Sequence, residues 1–221
     1  MNTKGHCYPK YIILQAVYFK LRFTLSYRDV EEIMKIRGVL VDHATIQRWV
    51  YKFTPLLESA MKKRKGSVGG SWRLDETYIK VNGIWCYLYR AVDKLGNTVD
   101  FLLTRKRQRM SAQSFLIKAI SDNYRPRVIN IDKSGSNTAP IKVYNKCLCS
   151  KIKIRQCKYL NNIVEQNHRF IKWRIQNGLG FKSFESARRT LSGIEVVHML
   201  RKKQMVSLGI TMFKSFCKLA C

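Results

Sequence analysis

The sequence predicts an α/β protein in which a helical N-terminal part precedes a mixed sheet flanked by helices. Apolar residues recur at helical spacing over roughly the first quarter of the chain. From Trp72 onward, runs rich in β-branched and aromatic residues alternate with short turns, which is the pattern of strands. The third observation is a formal net charge of +28, which predicts a polyanionic partner and hence nucleic acid.

Composition excludes several other classes of protein. A hydrophobic content of 46% is ample for a packed core, so disorder is not expected, and four Trp argue against a ribosomal-type basic protein. The longest apolar run near the start, residues 11–19, contains Gln15 and is too short to span a bilayer. The seven cysteines show no zinc-site spacing and are read as reduced thiols. We therefore expect a soluble, cytoplasmic protein without a membrane partner.

The helical part contains two short helices of the size found in a helix-turn-helix. Ser26 stands three residues before Asp29 in a capping-box pattern, and Gly38 is placed to end that helix. Asp42 can cap the next helix, and Pro55 is expected to stop it. The spacing therefore predicts a helix-turn-helix, with the second of these helices as the DNA reader.

The outward positions of the reader helix carry donors for phosphates and base edges. These candidate DNA-binding residues are His43, Thr45, Gln47, Arg48 and Lys52. An ordinary helical hairpin with a solvated basic face would show the same spacing. The net charge favours the DNA-reading alternative.

A basic run followed by a glycine-rich stretch marks the boundary between the two parts. The predicted domains are a helix-turn-helix over 1–61, a linker over 62–71, a catalytic domain over 72–205 and a C-terminal tail over 206–221. Within the third, the pattern predicts a meander of strands at 72–81, 84–92 and 98–104, a helix at 110–124 and a buried strand at 127–131.

Three carboxylates stand in unusual surroundings: Asp75 within a strand, Asp132 at the end of a buried strand, and Glu165 on a helix face among basic residues. The other acids are read as helix caps, turn residues or solvated charges. Carboxylates on a strand, a strand end and a helix fit binding of Mg²⁺, two ions of which can promote phosphodiester displacement. Arg169 and Lys172 on the same helix face would hold the DNA backbone. The alternative for Glu165 is the centre of surface salt bridges.

These residues resemble the DDE-type transposases of bacterial insertion sequences, in the group called insertion-sequence family six. The stretches that carry the resemblance cover nearly the whole chain in order: 25–32, 41–50, 72–80, 87–93, 158–166 and 180–184. The resemblance implies a ribonuclease-H-like catalytic domain with Asp75, Asp132 and Glu165 as metal-binding triad. It also implies that Lys172 lies near the scissile DNA.

The same resemblance implies the biochemistry. The helix-turn-helix would bind the terminal inverted repeats of the element, and the catalytic domain would nick DNA and join the freed 3′-hydroxyl to a target. The expected cofactor is a pair of Mg²⁺ ions, with Mn²⁺ as a substitute. The expected partners are double-stranded DNA, as element ends and target, and further copies of the chain in at least a dimer, in the bacterial cytoplasm with the nucleoid.

Two alternatives belong to other classes: a catalytically inactive copy that only binds DNA, and a structural-RNA-binding protein. The ordered carboxylates argue against both. There are three departures from the family pattern. Asp132 and Glu165 are separated by 32 residues, where relatives usually have about 34, Asn167 stands where relatives often carry Asp, and the loop 133–137 after Asp132 differs.

Overall fold

The computed structural model describes residues 7–132, 138–176, 180–207 and 209–220. Its elements, in chain order, are α1 (Lys10–Arg22), α2 (Tyr27–Ile36), α3 (His43–Arg64), β1 (Ser71–Val81), β2 (Ile84–Val92), β3 (Thr98–Thr104), α4 (Arg109–Ser121), β4 (Val128–Ile131), α5 (Thr138–Cys147), β5 (Lys153–Gln156), a 3-10 turn (Lys158–Asn161), α6 (Asn162–Gln176), α7 (Phe184–Arg201) and α8 (Met212–Leu219). None of the helices in the described ranges is long and apolar enough to cross a membrane.

The contacts divide the chain into two compact units. The helical unit consists of residues 1–66 and 173–221, and the sheet unit of residues 67–172. The prediction placed residues 173–205 with the sheet, so the two divisions differ at the C-terminal end. The physical reason is the burial of α7, along which nearly every residue from Leu191 to Leu200 is shielded from solvent within the helical unit.

Within the helical unit, α2 and α3 begin where the caps predict. The Ser26 hydroxyl accepts from the Asp29 N–H at 3.0 Å while the Asp29 carboxylate accepts from the Ser26 N–H at 2.6 Å. At the start of α3, the Asp42 carboxylate accepts from the Thr45 N–H at 2.9 Å. These reciprocal bonds satisfy N–H groups that have no partner inside a helix. The buried faces that follow include Val30, Met34, Ile46 and Trp49.

The prediction that Pro55 ends the reader helix is wrong, because α3 runs through it to Arg64. Lys62 and Lys63 of the predicted linker thus belong to the last turn of α3. Proline lacks the N–H that would bond to the Tyr51 carbonyl four residues earlier. Arg189 on α7 donates to that oxygen through Nη1 at 3.0 Å. A contact distant in sequence therefore compensates for the break, and local pattern could not have shown it.

The sheet unit holds five strands in the order β3-β2-β1-β4-β5. The first three form an antiparallel meander, and β4 and β5 are parallel to β1. The predicted Asn82-Gly83 turn joins β1 to β2 with φ values of 47° and 79°, as a type I′ turn requires. The predicted mixed sheet flanked by helices is confirmed, with β5 and α5 as additions that the sequence pattern did not show.

The two faces of the sheet have different roles because side chains alternate along each strand. Trp72 and Leu74 of β1, together with Ile129 and Ile131 of β4, point to a core completed by apolar residues of α4 and α5. The opposite face, which we call the polar face, carries Arg73 and Asp75 of β1 and the residues in register with them. Strand pairing thus fixes which acid of β1 can face the site.

The bond from Arg189 to the Tyr51 carbonyl generates a stability prediction. We expect Arg189→Met to lower the free energy of unfolding by about 1–2 kcal/mol, because a charge-assisted bond is lost from a carbonyl that Pro55 leaves without its helical donor. Arg188→Met is the matched control, since Arg188 also pairs with Glu185. Denaturant unfolding measures both.

Repeating the two arginine substitutions in a Pro55→Ala variant tests whether the missing N–H of Pro55 is the reason for the effect of Arg189. In Pro55→Ala, residue 55 regains an N–H for the Tyr51 oxygen, so the difference between the two arginine variants should shrink. An undiminished difference would assign the effect of Arg189 to its pairing with Glu185.

Candidate active site

Asp75 lies on the polar face near the middle of β1, and its neighbours there come from three other segments. Arg90 of β2 is its cross-strand partner. Asp132 directly follows β4, whose residues 128–130 pair with the start of β1. Glu165 lies in the first turn of α6. The structure therefore brings the three predicted carboxylates into one neighbourhood from a strand, a strand end and a helix.

Electrostatics shows the proximity of the three carboxylates. Burial, together with the charges of Glu76, Asp132 and Glu165, raises the pKa of Asp75 to about 7, against a lowering by the Glu76 backbone N–H. The charges of Asp132 and Glu165 therefore act on Asp75, as expected of acids in one neighbourhood. Like charges gathered beside a desolvated carboxylate are unfavourable unless a cation joins them.

Glu76 belongs to the other face. It is in register with Tyr89 on β2, and its carboxylate accepts from the Arg107 guanidinium in an ion pair. The side chain of Glu76 is nearly buried, whereas that of Asp75 is 21% exposed. The charge of Glu76 is thus compensated by a basic residue on its own face. Of the two adjacent acids, Asp75 alone faces Asp132 and Glu165.

His168 on α6 lies beside Asp75 without forming an ion pair. Its Nδ1 is 3.8 Å from Asp75 Oδ2, which is beyond hydrogen-bond distance. Burial lowers the pKa of His168 well below its usual value, and the positive charges of Arg90 and Lys172 lower it further. The imidazole is therefore neutral at physiological pH and contributes no positive charge to the site. His168 is buried although its neighbours Arg169 and Lys172 on the same helix are exposed.

A pair of buried asparagines connects the strand before Asp132 to the turn before Glu165. Asn130 Nδ2 donates to Asn161 Oδ1 at 2.6 Å and to the Cys157 carbonyl at 2.9 Å. Asn130 precedes Asp132 by two residues, and Asn161 precedes Glu165 by four. This pair therefore fixes the start of α6 against β4, and with it the position of Glu165 relative to Asp132.

The solvent-facing side of α6 within the sheet unit carries Glu165, Arg169 and Lys172, at i, i+4 and i+7. All three side chains are exposed. The positive charge of Lys172 also acts on the neighbouring His168. Two exposed basic residues therefore follow Glu165 along this side of α6.

The predicted DNA-reading residues lie at the start of α3 in the helical unit. His43 Nδ1 is 2.8 Å from Glu31 Oε2, and Arg48 Nη2 donates to Thr45 Oγ1 at 2.8 Å. Gln47 and Lys52 are exposed. Arg48 is exposed as well, one residue after Gln47 on α3. His43 is held by α2.

The chemistry of the acid set fits divalent ions better than any other cofactor. Carboxylate oxygens are the ligands that Mg²⁺ prefers, and the repulsion at Asp75 would be relieved by a cation. Among the described residues, no three His, Cys, Asp or Glu side chains are grouped closely enough to hold a metal ion in this structure.

Comparison with known families identifies this chain as a DDE-type polynucleotidyl transferase. A family model described as a DDE domain, of the IS240 transposase type, matches residues 69–204. The chain is 40% identical over 210 residues to the transposase of the insertion sequence-like element IS431mec of Staphylococcus aureus strain Mu50, covering 92% of this chain and 90% of that one. It is 39% identical over 210 residues, with the same coverage, to the transposase of IS257 in transposon Tn4003 of Staphylococcus aureus. The chain belongs to the insertion-sequence family six transposases.

Solved structures were compared as well. The catalytic core domain of HTLV-2 integrase in complex with magnesium aligns with a TM-score of 0.48 at 15% identity, over 71% of this chain and 99% of that one. The catalytic core domain of BIV integrase aligns with a TM-score of 0.46 at 18% identity, over 68% and 95% respectively.

Sequence reasoning missed Arg90, His168 and the Asn130–Asn161 pair. Asn130 carried a usable signal, because an amide within the apolar run of β4 needs a buried partner. Asn167 is buried, and its amide donates to the Ile163 carbonyl at 2.8 Å. The loop 133–137, which departs from the family pattern, lies outside the described residues.

The asparagine pair generates the prediction for this site. We expect Asn161→Ala to lower the free energy of unfolding by about 1–2 kcal/mol, because the buried Asn130 amide loses one acceptor. Asn162→Ala is the control, since Asn162 is exposed and adjacent, and it should change stability by less than about 0.5 kcal/mol. Denaturant unfolding measures the difference. Equal effects of the two substitutions would show that the hydrogen bond between Asn130 and Asn161 does not stabilise the fold.

Proposed function

We propose that this transposase binds the terminal inverted repeats of its insertion sequence through α3 and nicks the DNA at the element ends at Asp75, Asp132 and Glu165. The observation that supports the site is the pKa of Asp75, raised by burial and by the charges of Asp132 and Glu165. Three acids held together in a chain of net charge +28 require a function that offsets their repulsion.

The proposed reaction has two displacements at phosphorus. A water oxygen attacks the phosphodiester, the bond from phosphorus to the 3′ oxygen breaks, and a 3′-hydroxyl and a 5′-phosphate result. The 3′-hydroxyl oxygen then attacks a target phosphodiester and forms a new bond to its phosphorus. The bond from that phosphorus to the target's own 3′ oxygen breaks, and a target 3′-hydroxyl is released. Bound Mg²⁺, in two ions or with Mn²⁺ in its place, would activate the attacking oxygen and neutralise charge on the leaving one.

The side chains of the site have separate proposed roles in holding the metal ions and the DNA. Asp75, Asp132 and Glu165 supply oxygen ligands from three separate elements. Exposed Arg169 and Lys172, on the same side of α6 as Glu165, contact the phosphate backbone. The neutral His168 packs beside Asp75 and leaves the local negative charge unneutralised, so the acids retain their attraction for cations.

We expect Asp75→Asn, Asp132→Asn and Glu165→Gln each to reduce metal-dependent nicking of terminal-repeat DNA by about 10³-fold or more, because each loses a charged ligand. Binding to the same DNA without metal should be retained. Nicking of a labelled duplex and a gel-shift assay measure the two quantities.

Glu76→Gln is the matched control for these variants, since Glu76 is adjacent to Asp75 but pairs with Arg107 on the other face. It should retain at least part of the activity. Full nicking by all three site variants would refute the assignment. Retained specific binding with no nicking by the unaltered chain would instead support the alternative, a copy that only binds DNA.

DNA reading by α3 is tested separately. We expect Arg48→Ala to weaken binding to terminal-repeat DNA by about 10- to 100-fold, with a smaller effect on unrelated DNA, because an exposed arginine near a reader-helix start contacts base edges. Lys35→Ala, an exposed cation on α2, is the control. Fluorescence anisotropy with both duplexes measures the ratio of the two affinities. Equal weakening on both duplexes would mean that Arg48 contacts only the phosphate backbone.

We further propose that the active form contains at least two copies of the chain. Each chain carries one set of the three carboxylates, whereas an element has two ends to be nicked and joined. The mass of the complex with paired terminal-repeat duplexes, measured by sedimentation, should correspond to two or more chains. A single chain on each pair of ends would contradict this expectation.

A further inference from the structure

A basic cavity lies at the start of β4 and β5, at the opposite end of these strands from Asp132. Its volume is about 680 Å³. Five cationic side chains line it: Arg125, Arg127, Lys151, Lys153 and Arg155. The rest of the lining is apolar and comes from Pro126, Val128, Ile152 and Ile154. We call this feature the basic cleft.

The cations of the basic cleft are available to a ligand. All five residues are exposed. None of the described residues that line the cleft is acidic. None of the ion pairs found within the described residues involves any of the five cations. Arg155 even lowers the pKa of the buried Arg73 by its like charge, after the larger effect of burial. Five cations gathered in a concavity without a counter-charge favour an anionic ligand with several charges.

Strand register connects the basic cleft to the carboxylates. Arg73 pairs with Asn130, and Asn130 pairs with Arg155, so these residues form one row across the sheet. Arg73 and Asp75 are alternate residues of β1 and share the polar face. Arg155 and, two residues before it, Lys153 therefore lie on the face that carries Asp75. A ligand that is bound at the carboxylates and lies across the polar face would therefore extend toward β5.

The separation of the two sites suits duplex DNA. Lys153 pairs with Val128, four residues before Asp132. At about 3.3 Å per residue, Lys153 and Asp132 are therefore about 13 Å apart along the direction of the strands. This distance corresponds to about four base-pair rises of 3.4 Å. Lys153 and Arg155 are separated by about 6.6 Å along the strand, so they can contact different phosphates.

From this geometry we infer that the basic cleft binds the phosphate backbone of duplex DNA about four base pairs from the reacting phosphate, as a second backbone site on the sheet unit. The inference rests on the proposed function, because it takes DNA at the carboxylates as its starting point. The cleft holds the flanking duplex so that the reacting phosphate stays on the polar face. It reads no bases, since its charged groups contact phosphates only.

The first test is the salt dependence of binding to a long duplex without terminal repeats, in the absence of divalent ions. Losing two phosphate contacts in Lys153→Gln/Arg155→Gln should reduce the slope of log affinity against log salt concentration by about 1.8 and weaken binding roughly tenfold. The control is Lys106→Gln/Arg109→Gln, which removes equal charge from two exposed positions, one before α4 and one at its first residue. Equal changes in both variants would overturn the inference.

The second test locates the contact. Duplexes carrying the terminal repeat are shortened to end two base pairs beyond the reacting phosphate, on one side and then on the other. On one of the two short duplexes, the difference between the cleft variant and the unaltered chain should disappear. A difference that persists on both would place Lys153 and Arg155 elsewhere on the DNA and refute the site.

Nicking by the unaltered chain separates the two proposals. If it nicks terminal-repeat DNA and the cleft variant binds like the control variant, the basic cleft fails and the proposed function stands. If it does not nick but the salt slope falls as expected, the cleft survives and the proposed catalytic function fails.

Discussion

Mutual repulsion among carboxylates is the constraint on which the organisation of the sheet unit depends. Asp75 is desolvated and lies near two further acids, so its ionised form is disfavoured in the free protein. Strand alternation limits this cost by directing Glu76 to the opposite face, where Arg107 neutralises it. The acids that remain on the polar face come from separate elements, and their positions depend on strand pairing and on the Asn130–Asn161 bond.

The other acids described in the sheet unit illustrate the contrast. Asp93 is buried in the β2–β3 turn, where its carboxylate accepts from the N–H groups of Gly69, Leu95 and Asn97. Asp100 is buried against the ammonium group of Lys118. Both acids are stabilised by donors or by a cation, as a folded protein normally requires. The pKa of Asp75 is raised instead by burial and by the charges of other acids, which is the arrangement of a binding site rather than of a structural ion pair.

Local features of the sequence were sufficient to predict much of the fold and the carboxylates. The Asn82-Gly83 turn, the bounds of β2 and β3 and the Ser26 cap follow from interactions within a few residues. The features that the sequence did not predict depend on contacts between residues far apart in the chain. The passage of α3 through Pro55 is accompanied by the bond from Arg189. The neutral state of His168 reflects its burial and then the charge of Arg90 on β2. No local periodicity contains such information.

The edge strand β5 was also missed, and its composition explains why. Lys153-Ile154-Arg155-Gln156 is short and mostly exposed, so it shows little of the apolar content by which strands are recognised. Charged residues on an edge strand also prevent pairing with other chains, which offers a simpler reason for Lys153 and Arg155. Edge protection, however, needs only a charge of either sign on the edge itself. It does not account for Arg125 and Arg127, which precede the neighbouring strand and line the same cavity. Cations gathered from two segments around one concavity are better explained by a ligand that carries many negative charges.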